Sequence, residues 1–543
     1  MTDFIIVGAG SAGCVLANRL SEDPENSVLL IEAGGSDWHP LIHMPAGFAR
    51  MTKGIASWGW STVPQKHLGD RVLRYTQAKV VGGGSSINAQ IYTRGNPRDY
   101  DAWASEEGCA GWSYREVLPY FKRAEANERF ANDYHGEDGP LGVSNPIAPL
   151  PICEAYFRAA QELGIPFNPD FNGTRQEGVG YYQLTQRDAR RSSAAVAYLK
   201  PARDRPNLAV KTAAMVTRIV VENGRATGVE LVERPGAAPV VLRAEREVIV
   251  SAGAIGSPKL LMQSGIGPAD HLKSVGILPL HDLSGVGANL QDHLDLFVIA
   301  ECTGDHTYDN YAKLHRTVWA GLQYILLKKG PAASSLFETG GFWYADPTAA
   351  HPDIQFHLGL GSGIEAGVEK LKNPGVTLNS AFLRPRSRGT VRLKSADPAD
   401  SPLIDPNYWS DPYDREMAFR GLRLAREIMR QKALQRFVAR EVLPGPGADS
   451  DEALLDYACR TAKTDHHPVG TCRMGTGETA VVTPELKVRG VEGLRVCDAS
   501  VMPRIPSSNT NAPAIMVGEK GADLILGREP APPAVFKDNL ERA

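Results

Sequence analysis

The densest run of residues able to do chemistry lies between Thr464 and Pro513. It holds two adjacent histidines in Asp465-His466-His467-Pro468-Val469-Gly470-Thr471-Cys472-Arg473-Met474-Gly475, an acid in Asp498-Ala499-Ser500, and the amide-rich Asn509-Thr510-Asn511-Ala512-Pro513. A histidine, with an unperturbed pKa of about 6.5, is largely neutral at pH 7 and can take a proton, which suits it to general-base work. His467 precedes a proline and is therefore held extended. Pro513 at the head of an apolar stretch, with asparagines as caps, predicts a helix whose positive dipole end can stabilise an anion. The bland alternative for either histidine is a satisfied loop residue. A metal site is disfavoured, because the nearby acids do not combine with the pair into ligand spacing.

A second pattern opens the chain. The apolar, β-branched run Phe4 to Val7 breaks into Gly8-Ala9-Gly10-Ser11-Ala12-Gly13 and then into the helical spacing Val15, Leu16, Leu20. Gly8 permits the tight turn, Gly10 lets backbone approach a pyrophosphate, and Gly13 allows close helix packing, with free N–H groups presented at the helix start. A second strand, Val28 to Ile31, ends at Glu32, where an acid accepts ribose hydroxyls. This combination predicts dinucleotide binding. An acid at 32 disfavours the phosphorylated ribose of NADP and leaves FAD and NAD open.

Other elements must position these groups. The segment Val80 to Asn88 is glycine-rich and leads into Ala89 to Tyr92, which suits close backbone approach to a flat ligand, or else a surface turn. Strands are expected between Leu208 and Leu231 with Asn223-Gly224 as a hairpin turn, and at Glu247 to Val250. The latter opens into Ser251-Ala252-Gly253-Ala254-Ile255-Gly256-Ser257-Pro258, with Pro258 expected in the first turn of a helix Lys259 to Gln263. From about 300 to 455 the chain turns to strands and long polar loops, including Asp353 to Leu360 and Thr390 to Leu393. The amphipathic stretch Tyr311 to Lys329 is expected to pack on the core, a membrane-lying helix being the alternative. The proline-bearing tail after Leu526 is expected to be disordered.

Bulk properties narrow the classes. At 543 residues the chain exceeds one growing core, so two domains are expected. A net charge of -3 points to neither nucleic acid nor a polyanion. No apolar window is long enough to span a bilayer, and acidic Asp3 precedes the first apolar run, so the expectation is a cytoplasmic protein. Seven cysteines without a C-x-x-C pair argue against a zinc site or a disulfide framework.

The chain resembles the glucose–methanol–choline oxidoreductases along almost its whole length. The resemblance rests on GAGSAG with Glu32, VVGGGSSINA, GAIGSPKLLMQSGIG from Gly253 to Gly267, and HPVGTCRMG with NTNAP. LIHMPAG, FNGTRQEGVGYYQ, GVGANLQDH and PLIDPNY look like the bacterial branch of alcohol and choline dehydrogenases. The resemblance implies an α/β fold: a Rossmann-like FAD-binding domain (1–155, 195–300 and 456–528) interleaved with an α+β substrate domain on an antiparallel sheet (156–194 and 301–455). It implies His467 as the base for the alcohol proton and Asn509 as the partner of the substrate oxygen. His466 stands where relatives often have an aromatic residue and is expected to shape the pocket. The cofactor contacts it implies are Gly8, Gly10, Ser11, Ala12, Gly13, Glu32, Ala33, Val81, Gly83, Ser86, Asn88, Ala89, Val216, Ala252, Gly253, Asp498, Ala499, Asn511 and Pro513. Members with covalent flavin carry histidine where this chain has Ile87, so non-covalent FAD is implied. The implied reaction is oxidation of a primary alcohol to the aldehyde by hydride transfer to flavin. Electrons pass to a quinone, or to O2 in an oxidase. Peripheral membrane association is compatible with this; a hydroxynitrile-lyase activity and an idle flavin protein are the rival readings.

Overall fold

The computed structural model describes residues 2–536 apart from 148 and 235. Phe4, Ile5 and Ile6 are fully buried, as befits a strand covered on both faces. That strand, Thr2–Val7, is central in a parallel sheet ordered Leu208–Lys211, Val28–Ile31, Thr2–Val7, Val240–Val250, Leu494–Val496. The long strand Val240–Val250 changes partners along its length. Its first half pairs antiparallel with Arg225–Val232, which pairs in turn with Met215–Glu222. The predicted hairpin turn joins these two, with Asn223 and Gly224 both at positive φ (50° and 79°). The helices Ser11–Leu20 and Asn511–Leu526 pack together against this sheet.

The second sheet is antiparallel: Val438–Leu443, Leu294–Cys302, Gly375–Phe382, Ile354–Gly359, Thr339–Trp343 and Gly178–Tyr181, with Lys463–Thr464 paired to the start of Leu294–Cys302. Side chains alternate across it. Leu294, Leu296, Val298, Phe356, Leu358 and Leu378 form one core with the helices Pro412–Arg430 and Pro151–Glu162. The opposite face carries Asp295, Gln355, His357 and Asn379, brought into line by the pairing of Asp295 and Gln355 with Ala381 and of His357 with Asn379. All four are buried. Polar groups lined up on a buried face wall a chamber rather than fill a core. The α/β fold is thus a Rossmann-like unit beside a unit built on an antiparallel sheet.

Several elements differ from expectation for identifiable reasons. The strand Leu294–Cys302 lies wholly in the second sheet and Lys463–Thr464 joins it, so the chain crosses between sheets near 294 and 465, not at 300 and 456. The helix expected at Lys259 begins six residues earlier, as Gly253–Gln263, with Pro258 inside it. Pro258 has no N–H for the carbonyl of Ala254, and the Thr471 hydroxyl donates to that oxygen instead (2.5 Å). Asn511 does not cap its helix; its Oδ1 accepts from Ser11 Oγ at 2.8 Å, tying two helix starts together. The tail is not disordered as far as residue 536. The Ala531 amide donates to Tyr120 Oη (3.1 Å), and Phe536 stacks on Tyr114 and Tyr134. Its prolines hold it extended without needing a ladder; residues 537–543 lie outside the described residues. The amphipathic helix runs Leu314–Leu327 and buries only Ala320 and Tyr324, so it is not core-packed.

Candidate active site

The C-terminal ends of the parallel strands, where open α/β sheets bind ligands, feed three helix starts into one cavity. Its volume is about 330 Å³. Gly8, Gly10, Ser11, Ala12, Glu32, Ala33, Gly83, Asn88, Ala89, Val216, Ala252, Gly253, Asp498, Ala499 and Asn511 line it, and so do His466, His467 and Asn509. Nucleotide cradle and histidine pair therefore share one space. Four expected residues stand behind its wall. A Cβ on Gly13 would lie 1.9 Å from the Gly8 carbonyl, so Gly13 serves helix packing. Ser86 Oγ donates to the Val81 carbonyl (2.8 Å), pinning the second glycine loop, and Pro513 is buried in the first turn of its helix. Gly8 has φ +104°, and a Cβ there would meet Ser251 O at 2.4 Å. Gly83 approaches Gly10 so closely that its Cβ would sit 2.6 Å from Gly10 Cα.

Glu32 accepts the amides of Ala9 (2.9 Å) and Gly34 (2.7 Å), one on each carboxylate oxygen, which fixes it at the strand end with lone pairs to spare. Asp498 accepts the Gly253 amide and Ser257 Oγ on one oxygen and the Ser500 amide on the other, locking the third helix start.

The geometry at His467 fixes its chemistry. His293 Nε2 lies 3.1 Å from the Leu383 carbonyl, which only accepts, so Nε2 carries the proton and neutral His293 offers a bare Nδ1. That Nδ1 is 3.0 Å from His467 Nδ1, which must then donate. His467 Nε2 is left bare. It faces Asn509 Nδ2 at 3.1 Å. The amide cannot turn over, because Thr93 Oγ1 and Gln355 Nε2 both donate to Asn509 Oδ1 at 3.0 Å. Asp292 holds the backbone of His467 (2.8 Å) and is itself gripped by Tyr75, Tyr408 and Thr464. Burial pushes His467 and His293 well below the usual histidine range, so both are neutral at pH 7. His466 sits at φ +60°, held by its amide on Thr464 Oγ1, and burial drives its pKa down to about 3.

Beyond His467 the cavity runs along the polar face of the second sheet, past His357, Glu365, Asn379 and Asp465. Lys463 bridges Asp295 (2.7 Å), Glu365 (3.1 Å) and Asp465 (3.6 Å). Burial works against its charge, but attraction to these three carboxylates holds it protonated. Burial lifts Asp295 to about 6 and raises Asp465 as well. Asp295, His357 and Asp465 bring ligand-type atoms within 4.8 Å of one another. The Lys463 ammonium already counters the two acids of that group, so it calls for no metal. Two buried amide oxygens of this floor, Asn379 Oδ1 and Gln355 Oε1, have no hydrogen-bond partner within the protein, whereas the raised carboxyls of Asp295 and Asp465 bond to each other.

The GMC oxidoreductase profiles match residues 2–295 and 385–518. This chain belongs to the GMC oxidoreductases. It is 43% identical over 529 residues to the alcohol dehydrogenase (acceptor) of Pseudomonas putida, covering 97% of this chain and 96% of that protein. It is 44% identical over 531 residues to the oxygen-dependent choline dehydrogenase of Rhizobium etli, again covering 97% and 96%. Among solved structures, an FAD-dependent oxidoreductase from Chaetomium thermophilum superposes with a TM-score of 0.90 at 28% identity, covering 97% of this chain and 99% of that one.

Several further side chains complete the site of this GMC oxidoreductase without standing out in the sequence. His293 and Asp292 stand in GVGANLQDH, whose histidine and acid were a legible signal. Gln355, His357 and Asn379 had a fainter one, polar residues at every second position of buried strands. Thr93, Phe337 and the stacked Trp58 and Trp60 (4.9 Å between ring centres) had none, because loops bring them in, and Phe48 stands at the head of the single-turn helix Phe48–Met51.

Proposed function

We propose that this GMC oxidoreductase binds FAD non-covalently and oxidises a primary alcohol to the aldehyde, with His467 as the base and Asn509 as the partner of the alcohol oxygen. The observation that carries the assignment is the bare Nε2 of His467 facing Asn509 Nδ2 at 3.1 Å.

The cradle suits a dinucleotide with an extended flat ring. Gly8 and Gly83 leave no room for side chains, three helix starts supply amides for a pyrophosphate, and one cavity runs from Glu32 to His467. In this reading Glu32 takes the ribose hydroxyls, Gly10 to Ala12 the pyrophosphate, and Val216 and Ala33 flank the adenine end. Asn88, Ala89 and Asn511 lie toward the ring, beside Ile87, which offers no atom for a covalent link. The unit built on the parallel sheet carries the cofactor and the antiparallel unit roofs the substrate. When bound, FAD supplies the acceptor for the hydride leaving the alcohol carbon.

The side chains supply the rest. The alcohol O–H donates to His467 Nε2, and Asn509 Nδ2 donates to the alcohol oxygen. As the proton moves to Nε2, the oxygen gains charge opposite the Asn509 N–H. Asp465 Oδ2, 3.5 Å from His467 Nδ1, steadies the imidazolium formed. Buried aromatic walls at Phe48 and Phe337 keep water from the reacting carbon. The unpartnered Asn379 Oδ1 on the cavity wall favours alcohols whose remainder carries an O–H or N–H donor. Electrons leave to a quinone, or to O2 in an oxidase.

The test is anaerobic bleaching of the bound flavin by a panel of alkyl, aryl and amino alcohols, followed by timed reoxidation with a quinone and with air. A primary alcohol should bleach it. General-base catalysis contributes about 10²–10⁴ in rate, so His467→Ala should slow bleaching by at least about two decades. Equal rates in wild type and variant would end the assignment.

A further inference from the structure

We infer that the helix Leu314–Leu327 lies in the surface of an anionic phospholipid membrane and holds the enzyme there. The helix is inverted relative to an ordinary surface helix. Leu314 (80% exposed), Val318, Leu322, Ile325 (67%) and Leu326 (74%) follow the i, i+4, i+8, i+11, i+12 spacing of one continuous stripe, with exposed Trp319 on its flank. Only Ala320 and Tyr324, on the opposite side, are buried. Isolated exposed leucines need no explanation, but a contiguous apolar stripe marks an interaction surface.

Charge identifies the occupant. From Asn310 to Phe337 there is no Asp or Glu, whereas Lys313 and Arg316 stand at one end of the helix, Arg316 paired with Asp305, and Lys328 and Lys329 at the other with no acid beside them in the sequence. A second copy of the chain docked on this stripe would bring basic ends together. Anionic headgroups meet those ends with opposite charge, while the apolar stripe enters the acyl boundary and Trp319 sits at the interface. Fourteen residues span about 21 Å, short of the roughly 30 Å hydrocarbon core, so the helix lies in the plane rather than crossing. No helix among the described residues is long and apolar enough to cross.

The helix is moored to the body. Tyr324 packs with Met44, Ala189, Ala332 and Ala333. The same 40–51 segment supplies Phe48, which meets Phe337 across the cavity wall (5.8 Å between ring centres). The inference does not depend on which alcohol the site oxidises.

The experiment is co-sedimentation of the FAD-loaded enzyme with vesicles of phosphatidylcholine containing phosphatidylglycerol, and with phosphatidylcholine alone. Wild type should pellet with the anionic vesicles, much less with the neutral ones, and less as salt is raised. Leu322→Glu/Ile325→Glu/Leu326→Glu should stay in the supernatant while its flavin is still bleached by alcohol at the wild-type rate, which verifies its fold. Lys328→Ala/Lys329→Ala should lower the partition coefficient by about thirtyfold, from roughly a fivefold contribution per basic residue near an anionic surface. Wild type that ignores both vesicle types overturns the inference. So does sedimentation velocity in which wild type is a dimer and the triple glutamate variant a monomer, with no vesicle binding by either.

Discussion

Replacing His293 by leucine tests the proton arrangement at its most specific point. His293 touches no substrate in the proposed mechanism; it acts by accepting the Nδ1 proton of His467 at 3.0 Å, a role set by its own bond to the Leu383 carbonyl. Leucine keeps the bulk and removes the acceptor. His467 Nδ1–H then loses its 3.0 Å acceptor at a buried site and has only Asp465 Oδ2, 3.5 Å away, within reach, a loss of about 1–3 kcal/mol. The ring recovers that loss by turning toward Asp465, or by shifting its proton to Nε2, where it would point at Asn509 Nδ2, itself a donor. The first displaces the bare Nε2 that takes the alcohol proton in the proposed mechanism, and the second removes it. At about 1.36 kcal/mol per decade, the penalty amounts to a roughly 5- to 150-fold slower reduction of flavin. The assay is anaerobic stopped-flow at varied alcohol concentration. The limiting rate should fall, the half-saturating concentration should stay near wild type, and flavin content should be unchanged. His293→Leu/His467→Ala should be no slower than His467→Ala alone, since the first change acts only through the second. Wild-type rates in His293→Leu, or full multiplication of the two losses in the double variant, would refute the arrangement.

Three further outcomes follow from the same geometry. Gln355→Leu removes one of the two donors that orient the Asn509 amide, a loss of about 0.5–1.5 kcal/mol, so flavin reduction should slow by roughly 2- to 13-fold; an unchanged rate would show that Thr93 suffices. Gly8→Ala places a methyl 2.4 Å from Ser251 O at φ +104°, so the purified variant should carry little FAD and melt earlier by differential scanning fluorimetry; full flavin content would contradict the cradle. Burial lowers the pKa of His293, His357, His466 and His467. Their contribution is intact above about 6.5 and is lost as the pH falls below it, because only the unfolded chain then takes up protons. Asp292 and Asp295, raised by burial to about 6, act in the opposite sense, with the folded chain taking up protons first below that value. The histidine part is isolated by comparing wild type with His466→Phe, a ring of similar size: the Tm of wild type should fall relative to that of the variant between about pH 7 and about pH 5, and a constant difference would contradict a neutral buried imidazole at position 466.

What the sequence disclosed follows the range of the interactions involved. The first turn was readable because Gly8, Gly10 and Glu32 act within one βαβ unit, and Asn223-Gly224 because a two-residue hairpin demands positive φ. The helix at Gly253 was placed too late, since Pro258 is a local stop signal and the hydroxyl that rescues its missing bond comes from Thr471. His467 could be singled out through its motif, yet its tautomer depends on His293 and Leu383, which no local spacing connects. The helix Leu314–Leu327 showed its amphipathic spacing plainly. Periodicity gives a stripe but not the side of the protein it faces, and only the burial of Tyr324 opposite that stripe settled its direction.

The crossing between the two sheets has a mechanical consequence. Lys463 and Thr464 belong to the antiparallel sheet, whereas Val469 pairs with Gln291 and Cys472 and Met474 bond to the backbone of Ser500 and Val501, beside the cofactor cradle. His467 therefore rides on the few residues that span the seam. Any wide parting of the halves would pull on the peptide bearing the proposed base, so in that reading substrate reaches it through small local movements. The seam works like a fixed jig, and variation in the polar floor of the second sheet can retune which alcohol fits while the distance from base to cofactor stays the same.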